Sequence, residues 1–95
     1  MILVKKIEGL DKKILIMVDK DLYNKKFEEG DIILEINDFF YGDERESISL
    51  EEIMENDIIY VIGEKSLSIV SSYGIASLED AKYVKGVPYL FIVLR

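Results

Sequence analysis

Apolar positions along this chain fall into short runs separated by charged or glycine-containing breaks, and the spacing inside each run predicts its conformation. Leu3 to Ile7 and Ile14 to Val18 are aliphatic runs on either side of Glu8-Gly9-Leu10-Asp11, which predicts a β-hairpin with glycine in the turn. In the second run Ile14, Ile16 and Val18 face one side while Leu15 and Met17 face the other. A strand that is apolar on both faces is expected to be covered on both. Asp19 or Asp21 is placed to cap a short helical turn through Leu22 and Tyr23. Phe27 to Asp31 then reads as a turn, and Ile32 to Ile36 as a strand ended by Asn37-Asp38.

Residues 39–47 read as a loop that opens with three aromatics and turns acidic. Ser49-Leu50-Glu51-Glu52 carries a capping box, so a helix is expected over about 50–55, burying Leu50, Ile53 and Met54. Ile58 to Ile62 is a continuous apolar run between Asp57 and Gly63, the pattern of a buried strand. A second helix is expected over about 65–73, with Leu67, Val70 and Tyr73 on one face and Gly74 as its stop. Ser77-Leu78-Glu79-Asp80 starts one more helical turn. Strands at about 82–85 and 89–94 close the chain around Gly86-Val87-Pro88, with Pro88 at a strand start because it cannot donate to a ladder. The expected fold is α+β, a two-layer sandwich of about six short strands with two or three short helices. Neither repeats nor a linker divide residues 1–95, which read as a single domain.

Composition narrows the chemistry more than the fold. The 95 residues are 49% hydrophobic and 33% charged, as in an ordinary globular protein. No apolar stretch approaches the ~20 residues of a membrane span. Met1-Ile2-Leu3-Val4 precedes Lys5-Lys6, the reverse of a signal peptide. Without cysteine there is no disulfide framework, so a cytoplasmic setting is expected. His, Trp, Thr and Gln are also missing. Histidine bases, cysteine nucleophiles and the usual zinc ligand sets are therefore excluded, while carboxylate and Ser–Lys chemistry remains. Neither a cofactor nor a metal is expected: the carboxylates of residues 43–57 do not follow a calcium-loop spacing. Scarce Cys and Gln with abundant Lys, Glu and Ile suit either a heat-adapted source or a biased genome.

The net charge of −7 is concentrated: residues 31–57 carry ten acids against Arg45 alone. That stretch repels phosphate backbones, which disfavours non-specific nucleic-acid binding, and it suits a protein partner with a basic surface. Within it, Phe39-Phe40-Tyr41 after a strand cannot all point into one core, because successive side chains alternate, so at least one is expected at the surface; the alternative is a loop that folds back and buries all three. Phe39 and Tyr41 with Gly42, Glu44, Arg45 and Glu46 form the candidate protein-binding site, aromatic anchors beside a steering charge. A second candidate is Gly63, Lys65 and Ser66, where a helix N-terminus could hold one anion. The segment is not a phosphate loop, since Tyr60-Val61-Ile62 stand where glycines would be needed.

Read in order, Lys26-Phe27-x-Glu29-Gly30-Asp31, Phe40-Tyr41-Gly42, the acidic stretch, Gly63-Glu64 and Gly86-Val87-Pro88 resemble the domain-of-unknown-function 424 family, small proteins found mainly in archaea. The resemblance runs from about Val18 to Arg95. It implies an α+β sandwich and a cytoplasmic archaeal setting, and it carries no established activity. This chain departs from the family pattern after Gly-Val-Pro, with Tyr89-Leu90-Phe91 where members have His-Ala-Gln. Gly30 to Asp38 is also similar to the Gly-Asp-x-Ile-Leu-x-Val-Asn stretch of PDZ peptide-binding domains.

These features favour a non-catalytic adaptor or accessory protein that binds another macromolecule, by analogy with small archaeal proteins of translation or RNA processing. The rival readings are a small enzyme using carboxylates or Ser–Lys chemistry, and a peptide binder working by strand addition. The sequence leaves the oligomeric state open.

Overall fold

The computed structural model describes residues 1–95. Eight strands and two helices follow in the order β1 (Ile2–Glu8), β2 (Lys13–Asp19), β3 (Lys26–Glu29), β4 (Ile32–Glu35), β5 (Asp43–Arg45), α1 (Leu50–Met54), β6 (Ile58–Ile62), α2 (Glu64–Ser72), β7 (Lys82–Val84) and β8 (Val87–Val93). Short 3-10 turns occupy Lys20–Leu22, Asp38–Phe40 and Leu78–Asp80. Six strands form one mixed sheet in the order β5-β1-β2-β6-β8-β7, and β3 and β4 pair separately. Only β2 and β6 run parallel, and the long excursion between them supplies the β3–β4 hairpin, β5 and α1.

The fold is α+β as the residue pattern predicts, with departures where strands are too short to read. Phe27 to Glu29 is the end of a strand, and only Gly30-Asp31 forms the turn, with Gly30 at φ 61°. The loop assigned to residues 39–47 contains a 3-10 turn and β5, which pairs Asp43–Arg45 with Ile2–Val4. Helix α1 buries Ile53 and leaves Leu50 and Met54 exposed, since five residues present barely one apolar position inward. Helix α2 spans Glu64–Ser72 with Leu67 and Val70 buried. Tyr73 lies at the surface and donates its hydroxyl to the Ile48 carbonyl at 2.8 Å. Pro88 is the second residue of β8, and its carbonyl accepts from Gly63 N at 2.8 Å. Its missing N–H leaves no ladder bond unmade, because the facing Gly63 carbonyl accepts from Leu67 N at 3.0 Å.

Strand β2 is covered on both faces, as its pattern requires. On one side Leu15 and Met17 join Ile2, Val4, Ile53, Ile59, Val61, Leu67 and Val70 beneath the helices. On the other, Ile16, Val18 and Ile62 pack with Leu34 and Ile36 of the hairpin segment and with Val84 and Val87. The hairpin is thus a partial third layer above a helix–sheet pair. Across the strands, the register aligns Leu3, Val18, Ile62 and Tyr89 in one row, Lys5, Ile16, Tyr60 and Phe91 in the next, and Ile7, Ile14, Ile58 and Val93 in the last. The first row lies buried or half-buried on the hairpin side. In the last row Ile7, Ile14 and Ile58 are half-buried, and Val93 is 64% exposed.

Candidate functional site

The anion candidate lies where β6 turns into α2. Gly63 takes φ 107°, a value that side chains rarely adopt, and an added Cβ would stand 2.3 Å from Asp19 Cγ. That close approach lets the Asp19 carboxylate reach the helix N-terminus. Lys65 N donates to Asp19 Oδ2 at 2.9 Å, while Ser66 N and Ser66 Oγ donate to Oδ1 at 2.8 and 2.9 Å. The site is thus filled from within by a buried carboxylate, and Ser66 is itself buried. Of the two cap candidates, Asp19 and Asp21, Asp19 holds the N-cap position of the 3-10 turn, yet its side chain makes no cap bond there. The charge-favoured N-terminus of a nine-residue helix wins over a single short turn. A cleft of about 140 Å³ opens beside this junction, lined by Asp19, Asp21, Glu64 and Gly86 among others. Its carboxylates oppose an outside anion, so Gly63, Lys65 and Ser66 act as architecture. The Ser66 hydroxyl, spent on Asp19 and shut from solvent, is not presented as a nucleophile.

Three of the segments that carry the sequence resemblance meet at this end of the sheet. Gly63-Glu64 and Gly86-Val87-Pro88 line the cleft. The β3–β4 hairpin is tied in by Glu29, whose Oε1 accepts from Lys85 N at 2.6 Å. That bond supports a tight turn in which both Lys85 and Gly86 have positive φ, 50° and 79°. In the Gly30–Asp38 stretch that is similar to PDZ domains, Gly30-Asp31 is a hairpin tip, and the strand it launches lies outside the main sheet.

The aromatic candidate is presented to solvent. Asn37 caps the 3-10 turn by accepting from Phe39 N at 3.0 Å; Phe39 and Phe40 stand edge-on at 5.2 Å, while Tyr41 packs against Tyr23. Phe39 is 52% exposed, with Lys5 Nζ 4.4 Å from its ring centroid and donating to its carbonyl. Tyr41, 46% exposed, stands edge-on to Tyr23 at 5.0 Å. The Tyr23 hydroxyl bonds Asp38, which raises the Tyr23 pKa. Phe40 turns inward and starts an edge-to-face chain through Tyr60 at 6.2 Å to Phe91 at 6.1 Å. Burial raises the Tyr60 pKa, with a smaller push from Tyr89.

The remaining members of that candidate have structural roles. Gly42 passes so close to β1 that a Cβ would meet the Val4 carbonyl oxygen at 2.3 Å. Glu44 pairs with Lys20, and Arg45 reaches Glu52 at 2.6 Å and Asp43 at 3.7 Å. Glu52 also takes Lys6 at 2.8 Å, and the hydrogen bonds from Arg45 and Lys6 hold its carboxyl down at about 2. Glu46 is exposed and makes no ion pair. The acidic stretch is therefore divided: Glu44 and Glu52 are neutralised by lysines from β1 and the turn after β2, while Glu46, Glu51 and Glu55 face solvent around α1. No group of three or more potential metal-ligating side chains comes together.

Sequence reasoning missed the other half of this surface. Ile58 to Ile62 reads as a wholly buried strand, yet Ile58 and Tyr60 are half-exposed, and Phe91 is 59% exposed. The one signal was Tyr60 itself, an amphipathic ring inside an aliphatic run.

Residues 8–94 match the family described as protein of unknown function, DUF424. The chain belongs to the DUF424 family. Among solved structures it is similar to an uncharacterised conserved protein from Methanopyrus kandleri, with a TM-score of 0.76 at 21% identity, covering 99% of this chain and 93% of that one. That likeness shows that the DUF424 fold is shared at low identity. No curated protein matches the sequence.

Proposed function

We propose that this DUF424 protein is a non-catalytic adaptor that binds another protein through Phe39, Tyr41 and the adjoining open part of the sheet. Its partner carries basic residues around the contact. The observation that carries this reading is that two large aromatic side chains are held at the surface by fixed local contacts. Phe39 is 52% and Tyr41 46% exposed, yet one is anchored by Lys5 and the other by Tyr23. Rings ordered before binding lose little entropy when a partner covers them. The uncompensated carboxylates Glu46, Glu51 and Glu55 lie just downstream and supply the steering charge.

The test is capture from native lysate with immobilised wild type, Tyr41→Ala and Glu46→Lys, read by mass spectrometry and followed by binding kinetics on the partner recovered. Tyr41→Ala should speed dissociation about tenfold with a thermal midpoint close to wild type. Glu46→Lys should slow association at low salt and leave dissociation unchanged. A specific partner that binds both variants with unaltered kinetics would place the contact elsewhere.

A further inference from the structure

The two outer edges of the sheet are both left open at the same end. Strand β5 covers only Ile2–Val4 of β1, and β7 covers only Val87–Tyr89 of β8. The open part of β1 reads Lys5-Lys6-Ile7-Glu8, an edge protected by charge in the way natural sheets avoid unwanted pairing. The open part of β8 reads Leu90-Phe91-Ile92-Val93 and has no charge, bulge or proline. Pro88 O accepts from Gly63 N and Leu94 N donates to Asp57 O, so the even-numbered residues of this strand aim their main-chain groups at β6. By alternation, the N–H and C=O groups of Phe91 and Val93 point outward, where no strand lies.

This edge is apolar on both faces. Phe91 and Val93 are 59% and 64% exposed on the hairpin side, and Leu90, Ile92 and Leu94 are half-buried on the helix side. A cavity of about 280 Å³ lies against it where β7 stops, lined by Tyr60, Asp80, Lys82, Tyr89, Leu90 and Phe91. Completing such an edge requires a strand that is itself apolar on both faces, and β8 is one.

We propose that this protein forms a two-fold dimer through antiparallel pairing of β8 with β8 of a second copy. With Ile92 on the axis, Phe91 of each copy stands opposite Val93 of the other, and each such pair exchanges N–H and C=O bonds. The same register sets Leu90 against Leu94 of the other copy on the helix side. One set of residues thus completes both faces, which is what an isologous interface requires. The charged β1 edges stay at the outer ends, so pairing stops at two copies. This association pairs main-chain groups of the β8 edge, whereas the adaptor contact is anchored on Phe39 and Tyr41 beside β1; Phe91 borders both, so Val93 variants test the dimer and Tyr41→Ala tests the adaptor contact.

The net charge of −7 on each copy opposes pairing, and salt screens that repulsion. Sedimentation and light scattering over a range of protein concentrations should show a dimer whose dissociation constant falls as salt is raised. Val93→Pro removes an outward N–H that the monomer does not use, and Val93→Lys puts a charge on the edge. Both should keep the wild-type circular dichroism spectrum and weaken the dimer at least about tenfold, equivalent to ~1.4 kcal/mol. If the proline variant unfolds, the lysine variant decides. Amide exchange at Phe91 and Val93 should slow as the dimer forms, while Lys6 and Glu8 on the outer edge of β1 stay unchanged. A wild type that is monomeric at every concentration and salt overturns the proposal. So does a dimer that survives Val93→Lys with unaltered affinity, or one whose formation leaves the Phe91 and Val93 amides unprotected.

Discussion

The two halves of the six-stranded sheet are built from the same four long strands and differ in what is packed around them. Over the row containing Val18 and Ile62, the hairpin covers one face, helices cover the other, and β5 and β7 close both edges. Over the row containing Ile14, Ile58 and Val93, the hairpin-side face is only partly covered and both edges are open. The apolar pattern of β2, β6 and β8 hardly changes from one half to the other. The difference comes from the excursion between β2 and β6, whose hairpin folds back mainly over one half. Stability is concentrated where three layers meet, and apolar surface available for contacts is left where two do.

That contrast can be broken most severely at the closed end. Gly63→Ala forces a side chain into both a strained φ and the Asp19 carboxylate that holds α2. It should cost roughly 3–4 kcal/mol in urea denaturation, from backbone strain together with a lost cap. An unchanged midpoint would mean that Asp19 and α2 can separate without consequence.

A smaller effect is expected from the ion-pair cluster that ties α1 to β1 and β5. Because Glu52 is held at about 2, below its ordinary 4.5, the folded state binds fewer protons than the unfolded chain between those values. Its contribution is complete above about pH 4.5, declines as pH falls, and is gone below about pH 2. Glu52→Gln should therefore cost under about 1 kcal/mol near neutrality, given partial solvent screening. It should also flatten the acid limb of the melting-temperature profile. A parallel acid limb in the variant would assign the loss to other carboxylates.

The least effect on folding belongs to the open half. Val93→Ala trims a side chain that is 64% exposed and should change stability by no more than about 0.5 kcal/mol. A loss of several times that size in a dilute monomer would show that this row is packed core, and the distinction between the halves would fail.

Elements with a long, strong pattern were legible in the residues. The first hairpin, the two-faced β2, the Ser49 N-cap and the helix from Glu64 to Ser72 all form where local spacing places them. The short strands β3 and β5 were not, because three or four residues cannot display a period and their partners are distant in sequence. The candidate site was half legible. Three adjacent aromatics were readable as a cluster with a ring to spare for the surface, but that Phe39 and Tyr41 are the exposed ones was decided by the turn and its contacts. Tyr60, Phe91 and Val93 were not readable as surface, since a strand's pattern states that it is apolar and not which neighbours will cover it.

The sequence by itself determined the absence of histidine and cysteine chemistry, the acidic balance, the α+β class and the family to which the chain belongs. Tertiary structure alone decided that Asp19 fills the anion site, that lysines from elsewhere neutralise part of the acidic stretch, and that β5 and β7 stop short of the sheet's open end. The reason is physical: composition and periodicity are local properties of the chain. Which carboxylate reaches a helix N-terminus, and which apolar row goes uncovered, depends on contacts between residues such as Asp19 and Ser66, brought together only when β2 and β6 pair.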